Sequence, residues 1–551
     1  MRKYIFSALA LLSSIGLGAQ SMMDAYTFGA TEYLGTARVV GLGGAVGALG
    51  SDLGTVTVNP AGSAVAGYSQ FVISPSLSTS LTNTTFSLDP TSDGKNANSV
   101  SRTRFKLPNI GLSSRYSTGV SGISMTLGVV LNTTYDYNYE HEGYGLNGYA
   151  SKFAEMARAA DGLTAAQLES SSFYDNYPDL WDVGMGYKAG LINGYGTANQ
   201  YVGCTEVLTD DDRRYVPSEL MQRSRTVTSG YKTDLILNAA WSFDDKFYLG
   251  FNLGLPILSY SNVERYSEVA QTVEDFPVRF NYDDGTVENT YFDNAVYQYN
   301  YIASGSGLYG KIGVIWLPVA GLRLGFAYQT PTIMDIREYW QHSGKVNYAN
   351  GTSFSASSPE GTYEYSVRTP RHFDFSAAYT FGRLGLISVD GSIENYSCVK
   401  FSDVDGTGTF DFLNAATKAF SGCAYELRVG AEVNVAKNFA VRAGWNMKTS
   451  AEKYYTVDGE PFYYEDYNDD YYVGRKSLPG NGQYVNNIRS SYSIGLGYNP
   501  AGSFFADFAV RYTKLPETSY QPFYSYDDVY SPVFYSTRAR INAVLTLGFR
   551  F

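Results

Sequence analysis

GTARVVGLGGAVGALGSDLGTVTVNPAGSA, residues 35–64, is the stretch of this chain that decides its fold. Eight of these thirty residues are Gly, and only Arg38 and Asp52 are charged. Glycine lets a backbone turn tightly and lie close to another backbone, but it supplies no side chain for a core. We therefore expect the rest of the chain to enclose this segment. A nucleotide site does not fit, because Val46 stands where the dinucleotide motif requires Gly and no Gly-Lys-Ser/Thr follows.

The enclosing wall is predicted from segments in which apolar and polar residues alternate. In residues 425–435, for example, Leu427 and Val429 share one face, and Glu426 and Arg428 share the other. This period of two is typical of a β-strand with two chemically different faces. Fourteen such segments are found, at residues 68–82, 104–117, 120–138, 225–243, 246–264, 297–317, 321–341, 361–381, 384–403, 421–436, 438–453, 486–499, 503–518 and 534–551.

The connections between these segments alternate in length. Turns such as Asp244-Asp245 and Gly382-Arg383 are short, whereas residues 139–224 and 454–485 form long connections. Outer-membrane barrels have tight periplasmic turns and long outer loops. The sequence therefore predicts an all-β protein, a 14-stranded antiparallel transmembrane β-barrel whose apolar residues face lipid. We expect the last strand to pair with the first, because an open edge in lipid leaves backbone groups unpaired.

The start of the chain and its charge indicate where it acts. Residues 1–19 have the pattern of a signal peptide: Arg2 and Lys3, an apolar run, then Gly18-Ala19. No later apolar run reaches the ~18 to 20 residues of a membrane helix. The formal charge of -12 argues against nucleic acid as a partner.

The N-terminal residues also resemble a known family. Ala37-Arg38, the Gly41–Ala45 run, Asp52 and then Asn59-Pro60-Ala61-Gly62 follow one another as in the N-terminal hatch of FadL-type outer-membrane transporters of long-chain fatty acids and other hydrophobic compounds. Leu107-Pro108-Asn109 is similar to the opening of that family's second strand. The resemblance implies a signal peptide at 1–19, a hatch at 20–67 and a barrel at 68–551.

This resemblance implies several functional properties. The chain would lie in the outer membrane of a Gram-negative bacterium as a monomer, inserted by the barrel-assembly machinery, which recognises a closing strand with a terminal aromatic such as Phe551. It would pass hydrophobic molecules without energy input and without a cofactor. The ligand would leave the lumen when the hatch around Asn59, Pro60 and Ala61 shifts.

The third strand is a point of departure from the family. There the third strand bends inward and opens a lateral hole toward the membrane. Among residues 119–135 of this chain, Gly128 is the only residue that suggests such a bend.

The long connection at 139–224 is predicted to contain the one helical pattern of the chain, at residues 150–170. Helical outer loops of the family form a groove that captures the lipid. The candidate ligand-binding residues in this sequence are Phe153, Met156, Leu163 and Leu168. Packing of the same apolar face on the barrel rim is the alternative.

Catalysis and metal binding find little support in the sequence. Cys204, Cys398 and Cys423 match no metal motif, and a Cys398–Cys423 disulfide and two free thiols remain alternatives. His372, Asp374 and Ser376 share one strand face, but their ~7 Å spacing is long for a nucleophile and its base. We therefore predict no enzyme. The second hypothesis for function is a FadL-like barrel used as a surface platform that docks secreted proteins.

Overall fold

The computed structural model describes residues 22–88, 95–195, 199–209, 213–281, 285–404, 410–457, 460–462, 482–500, 502–525 and 531–551. Its largest sheet is a ring of fourteen antiparallel wall strands, five of which are interrupted once. They are β1 (Gln70–Ser87), β2 (Lys95–Ser117), β3 (Ile123–Asp136 and Tyr139–Asn147), β4 (Leu220–Phe243), β5 (Phe247–Ala270), β6 (Val287–Val319), β7 (Leu322–Gln329 and Ile333–Tyr348), β8 (Gly361–Arg368 and His372–Thr380), β9 (Gly385–Asn395 and Lys400–Asp403), β10 (Cys423–Ala436), β11 (Phe439–Lys448), β12 (Arg489–Tyr498), β13 (Phe504–Lys514 and Thr518–Tyr520) and β14 (Val533–Arg550).

The ring is closed by its last and first strands. β14 pairs with β1 from Arg550 opposite Gln70 to Val533 opposite Ser87. Every wall strand thus has two neighbours, so the sheet closes on itself as a barrel. The predicted 14-stranded antiparallel barrel is confirmed.

The two faces of the wall have opposite chemistry. On β1, Ser74, Ser76 and Ser78 point inward and are buried, whereas Leu77 points outward and is half exposed. Phe375 and Ile494 are likewise exposed on the outer face, at 52% and 68%. Large apolar side chains with this exposure face the hydrocarbon of a bilayer. The chain is therefore a transmembrane barrel with an apolar exterior.

Seven α-helices lie inside the barrel or above it. They are α1 (Met22–Gly29), α2 (Ala37–Gly41), α3 (Lys152–Ala160), α4 (Ala165–Glu169), α5 (Phe173–Asn176), α6 (Trp181–Lys188) and α7 (Asp411–Phe420) in the described part of the chain. Short 3-10 turns occupy Leu53–Thr57, Pro60–Val65, Pro178–Leu180, Val273–Asp275 and Tyr396–Cys398. No helix in the described residues is long and apolar enough to cross a membrane.

Short strands complete the outer loops. They are Ile192–Tyr195, Gln200–Gly203, Val207–Leu208, Arg214–Tyr215, Pro277–Asn281, Ser353–Ser357, Lys453–Val457, Glu460–Phe462 and Gln483–Tyr484. The three cysteines are free thiols.

The long connection between β3 and β4 is shorter than predicted. Residues 139–147, expected in the long excursion, continue β3, and β4 begins at Leu220 rather than at residue 225. The single helix expected at 150–170 is two helices, because Gly162 has a positive φ of 90° and Thr164 caps α4 with a capping box. α6 and α7 were not predicted at all.

The third strand also differs from its prediction. β3 is interrupted at Tyr137–Asn138, after a register shift between Thr133 and Tyr135 against β4. Gly230 on β4 has a φ of 127° where Tyr137 donates to its carbonyl. The bend thus lies above Gly128 and depends on a glycine of the neighbouring strand.

Candidate functional site

The N-terminal segment, residues 22–66, lies inside the barrel. It approaches inward-facing glycines of six wall strands, with its backbone at five of them and with the Asn59 and Pro60 side chains at Gly313. We call these residues the glycine belt: Gly250, Gly313, Gly325, Gly430, Gly444 and Gly495. A Cβ at Gly250 would overlap the backbone of Pro60 and Ala61, and one at Gly444 would overlap Gly43. Backbone therefore packs directly on backbone, which only glycine allows at this distance.

Asn59, Pro60 and Ala61 lie at this contact. The Asn59 side-chain amide donates to the carbonyls of Gly47, at 2.8 Å, and Val314, at 3.0 Å. Its Oδ1 accepts from the amide of Ala61 at 3.1 Å and so starts the turn Pro60–Val65. Asn59 thus ties one part of the N-terminal segment to another and to β6.

Buried ion pairs hold the same segment at its sides. Arg38 lies 3.0 Å from Glu432, which also binds Arg442 of β11 at 2.6 Å. Glu32 is surrounded by the guanidinium groups of Arg489, Arg511 and Arg540 at 2.8 to 3.5 Å. Burial alone would raise the pKa of Glu32, but these three cations outweigh it and lower the pKa to about 2.

The lumen above this polar layer is apolar and aromatic. Met22, Ala25 and Phe28 of α1 belong to one buried cluster with inward-facing residues of the upper wall and of the outer helices. Tyr26 stacks on Tyr396 with ring centroids 5.0 Å apart. We call this set the upper aromatic cluster; further members are Tyr137, Leu258, Tyr266, Tyr299, Tyr301, Met334, Ile336, Tyr365, Phe401 and Phe420.

The four predicted ligand-binding residues lie in this cluster. Phe153, Met156 and Leu168 are buried at 4% exposure or less, and Leu163 packs against them at the edge. The structure therefore places three of the four in the upper aromatic cluster and the fourth against it. They face packed side chains and not an open groove.

Two helices of the upper aromatic cluster, α1 and α7, were not predicted from the sequence. α7 packs Leu413, Ala416, Thr417 and Phe420 inward, and their spacing of three and four residues was the signal that could have revealed it. The N-terminal helix α1, beside it in the cluster, had no such signal because it is only eight residues long.

A slit interrupts the wall between β2 and β3. Backbone pairing between them runs from Ser117 opposite Ser124 up to Asn109 opposite Asn132 and stops there. Above this point β2 still pairs with β1, but upper β3 pairs only with β4. A Cβ at Gly143 would meet the inner-face side chains of Thr84 and Phe534, so upper β3 lies on the lumenal side of its neighbours.

Among the described residues, side chains of β2 bridge this slit. Lys106 forms an ion pair with Asp136. Above it, Arg102 donates to the carbonyl of Thr228 at 3.2 Å and Asn98 donates to that of Glu142 at 3.0 Å. β3 is also held from β1 and β14, where Ser78 donates to the Asp136 carboxylate at 2.8 Å and Arg540 donates to the Asp136 carbonyl at 2.9 Å. These contacts are easier to separate than a backbone ladder, since they open without breaking sheet pairing.

His372, Asp374 and Ser376 face the lumen as expected from the alternation, but each has a different partner. Asp374 binds Arg428 at 2.8 Å and Lys311 at 3.3 Å, and His372 lies 3.4 Å from Glu394. Ser376 lies against Gly47. These residues fix the N-terminal segment and the wall. In the described part of the chain no group of His, Cys, Asp or Glu is arranged to hold a metal ion.

Comparison with known proteins gives matches only among solved structures. No family model and no curated protein matches the chain. A FadL homologue of Pseudomonas aeruginosa is 11% identical, with 95% of this chain and 100% of that one aligned at a TM-score of 0.46. The toluene transporter TodX of P. putida is 12% identical over 93% and 97% of the chains, with a TM-score of 0.47.

A third solved structure is similar to this chain to the same degree. The toluene transporter TbuX of Ralstonia pickettii is 13% identical over 94% of this chain and 98% of its own, with a TM-score of 0.44. The strand pairings of this chain by themselves establish its barrel.

Proposed function

We propose that this protein is an outer-membrane channel for the passive uptake of hydrophobic molecules such as long-chain fatty acids. The observation that carries the proposal is the upper aromatic cluster. Water-filled porins have a polar lumen, whereas here the interior above the N-terminal segment is filled by packed Tyr, Phe, Met and Leu side chains. Such a lining favours an apolar solute over water and ions.

The entry step is placed at the outer helices. Phe153, Met156 and Leu168 belong to the same buried cluster as residues of the upper wall, and Leu163 packs against it. Separation of α3 and α4 from the cluster would expose apolar surface to an arriving solute, and closure would bury it again. The solute would exchange its contacts with these side chains for contacts with Tyr and Phe deeper in the barrel.

The exit step is placed at the slit between β2 and β3. A path through the N-terminal segment would require Asn59 to leave its carbonyl partners and the glycine belt to separate from the backbone. Buried polar groups without partners cost ~1 to 3 kcal/mol each. The slit can open by the separation of side-chain contacts, without a break in backbone pairing. Its lower part, beside the exposed Phe105, faces the bilayer, in which an apolar solute dissolves.

Uptake in cells tests this proposal. Cells lacking their own transporter would express the protein with Cys204, Cys398 and Cys423 changed to Ser, and with Asn98→Cys and Glu142→Cys to allow a short, reducible thiol crosslinker across the slit. The matched control is Asn83→Cys with Ser99→Cys, two residues that are already paired between β1 and β2. Labelled oleate and toluene serve as solutes.

We expect the crosslink across the slit to lower uptake several-fold and reduction to restore it, while the control crosslink has no effect. Uptake at the uncrosslinked rate would contradict the lateral exit. Uptake that does not depend on the protein at all would contradict the channel itself.

A further inference from the structure

A small polar cavity lies between the N-terminal segment and the inner face of the wall. Residues of both line it, among them Gly29, Thr31, Thr57, Lys232, Asp234 and His372. Its volume is about 20 Å³, and roughly 10 to 15 Å³ is enough for one water molecule. The cavity therefore has room for a polar group with a single heavy atom.

Thr57 lines this cavity with a hydroxyl that has no hydrogen-bond partner among the described residues. Its side chain is almost fully enclosed, since Thr57 is only 5% exposed. Its backbone is fixed, because its carbonyl accepts from the Lys311 ammonium at 2.9 Å. A buried hydroxyl without a partner is unfavourable, and one that is kept beside a cavity indicates a ligand group that pairs with it.

The charged groups around the cavity balance each other. Lys232 and Asp234 stand two residues apart on the inner face of β4, and both are buried. His372, which also lines the cavity, lies 3.4 Å from Glu394, and this carboxylate would compensate a charge on its ring. The lining therefore has no surplus charge to bind an ion, whereas a hydroxyl, which both donates and accepts, suits it.

The cavity adjoins the place where an apolar solute would lie. Met334 lines the cavity and also belongs to the upper aromatic cluster. Lys232 donates to the carbonyl of Phe28 at 2.9 Å, and the ring of Phe28 lies 5.8 Å from that of Tyr260. A solute among these side chains would thus have its polar end within reach of the cavity.

We propose that this cavity is a binding site for the terminal hydroxyl group of an apolar solute, an alcohol or a phenol. The proposal rests on the proposed function, since it needs a solute in the upper aromatic cluster. A hydroxyl adds one heavy atom, which the volume of the cavity accommodates. A hydrocarbon leaves the Thr57 hydroxyl without a partner, and a carboxylate brings a second oxygen and a charge that the lining does not balance.

Binding of three matched solutes to the full-length protein in detergent tests the site. The solutes are p-xylene, p-cresol and p-toluate, which share a methylated ring and differ in one group: methyl, hydroxyl or carboxylate. Thr57→Val replaces the hydroxyl by a methyl group of the same shape, and no hydrogen bond of that hydroxyl is lost. The control is Thr126→Val, which removes another buried hydroxyl without a partner, on β3 and away from the cavity. Equilibrium dialysis of labelled solute against protein, corrected with protein-free micelles, gives the affinities.

We expect Thr57→Val to weaken p-cresol binding by roughly 3- to 10-fold, the contribution of one neutral hydrogen bond, and to leave p-xylene binding unchanged. Thr126→Val should change neither. An unchanged affinity for p-cresol in Thr57→Val, or the same loss in Thr126→Val, would overturn the site. Binding of p-toluate to the wild-type protein as tightly as p-cresol would overturn the preference for an uncharged group.

The p-xylene measurement separates this proposal from the proposed function. Failure of both p-xylene and p-cresol to bind the wild-type protein would contradict the channel and the cavity site together. If p-xylene binds and the affinity for p-cresol does not depend on Thr57, the cavity site alone is wrong.

Discussion

Gly250 allows the N-terminal segment to pack directly on the inner face of the wall. Its missing side chain makes room for the backbone of Pro60 and Ala61. Gly250→Ala should destabilise the folded protein by ~1 to 3 kcal/mol, because a fixed backbone cannot yield to a new methyl group. The measurement is the urea midpoint of unfolding in micelles.

Gly310→Ala is the matched control for this change. It also lies on the wall, but its Cβ would meet only Thr330, at 3.9 Å. Equal midpoints for the two variants would show that the glycine belt does not hold the N-terminal segment.

The side chain of Asn59 can be tested in the same way, because its nitrogen donates hydrogen bonds and its oxygen accepts a different one. Asn59→Asp keeps the oxygen that accepts from Ala61 but loses the amide that donates to Gly47 and Val314. It also points a negative charge at carbonyl oxygens. We expect Asn59→Asp to destabilise the protein more than Asn59→Ala does, by chemical denaturation at pH 7, although Asp is closer in shape. The reverse order would mean that these hydrogen bonds contribute little.

Glu32 makes the stability of the barrel depend on pH. Burial opposes its charge, but three arginines hold its pKa at about 2, below the value of ~4.3 expected in the unfolded chain. The contribution of Glu32 is therefore complete above pH ~4.3 and is lost as the pH falls toward 2. The urea midpoint should fall between pH 5 and pH 3, and it should fall less in Glu32→Gln. An equal fall in both proteins would contradict this role.

The outer helices are the element whose packing can be tested. α3 is held by Phe153, which is fully buried in the upper aromatic cluster, whereas Leu163 lies at the cluster edge. Phe153→Ala should remove ~3 to 5 kcal/mol of local packing and make residues 148–219 sensitive to protease on intact cells. Leu163→Ala should leave these residues resistant. Resistance in both variants would show that the helices do not depend on the cluster.

The strands could be predicted from the sequence, whereas the slit and α7 were not. Strand alternation is local, so residues 425–435 predicted both the strand and its orientation, and the same reasoning predicted β14. The slit could not be predicted this way, because it arises where β3 stops pairing with β2, and one of its causes is Gly230 on a different strand. α7 was missed although its apolar spacing is visible at Leu413, Ala416 and Phe420.

The whole molecule is an apolar wall around a filled interior. The N-terminal segment packs on the glycine belt and is held at its sides by buried ion pairs such as Arg38 with Glu432. The upper aromatic cluster lies above it. The sequence predicted the wall and placed a segment inside it. It did not predict the ion pairs, because Glu32 and its partner Arg540 are 508 residues apart and pair only through the tertiary fold.

The central claim is that apolar solutes bind inside the barrel, in the upper aromatic cluster. The most direct test is a crystal structure of the protein soaked with a brominated hydrocarbon such as bromobenzene, with bromine located by its anomalous scattering. We predict a bromine position inside the wall, beside the rings of Phe28, Tyr260 and Tyr301. Bromine found only on the outer, lipid-facing surface, with the interior closed to it, would contradict the claim.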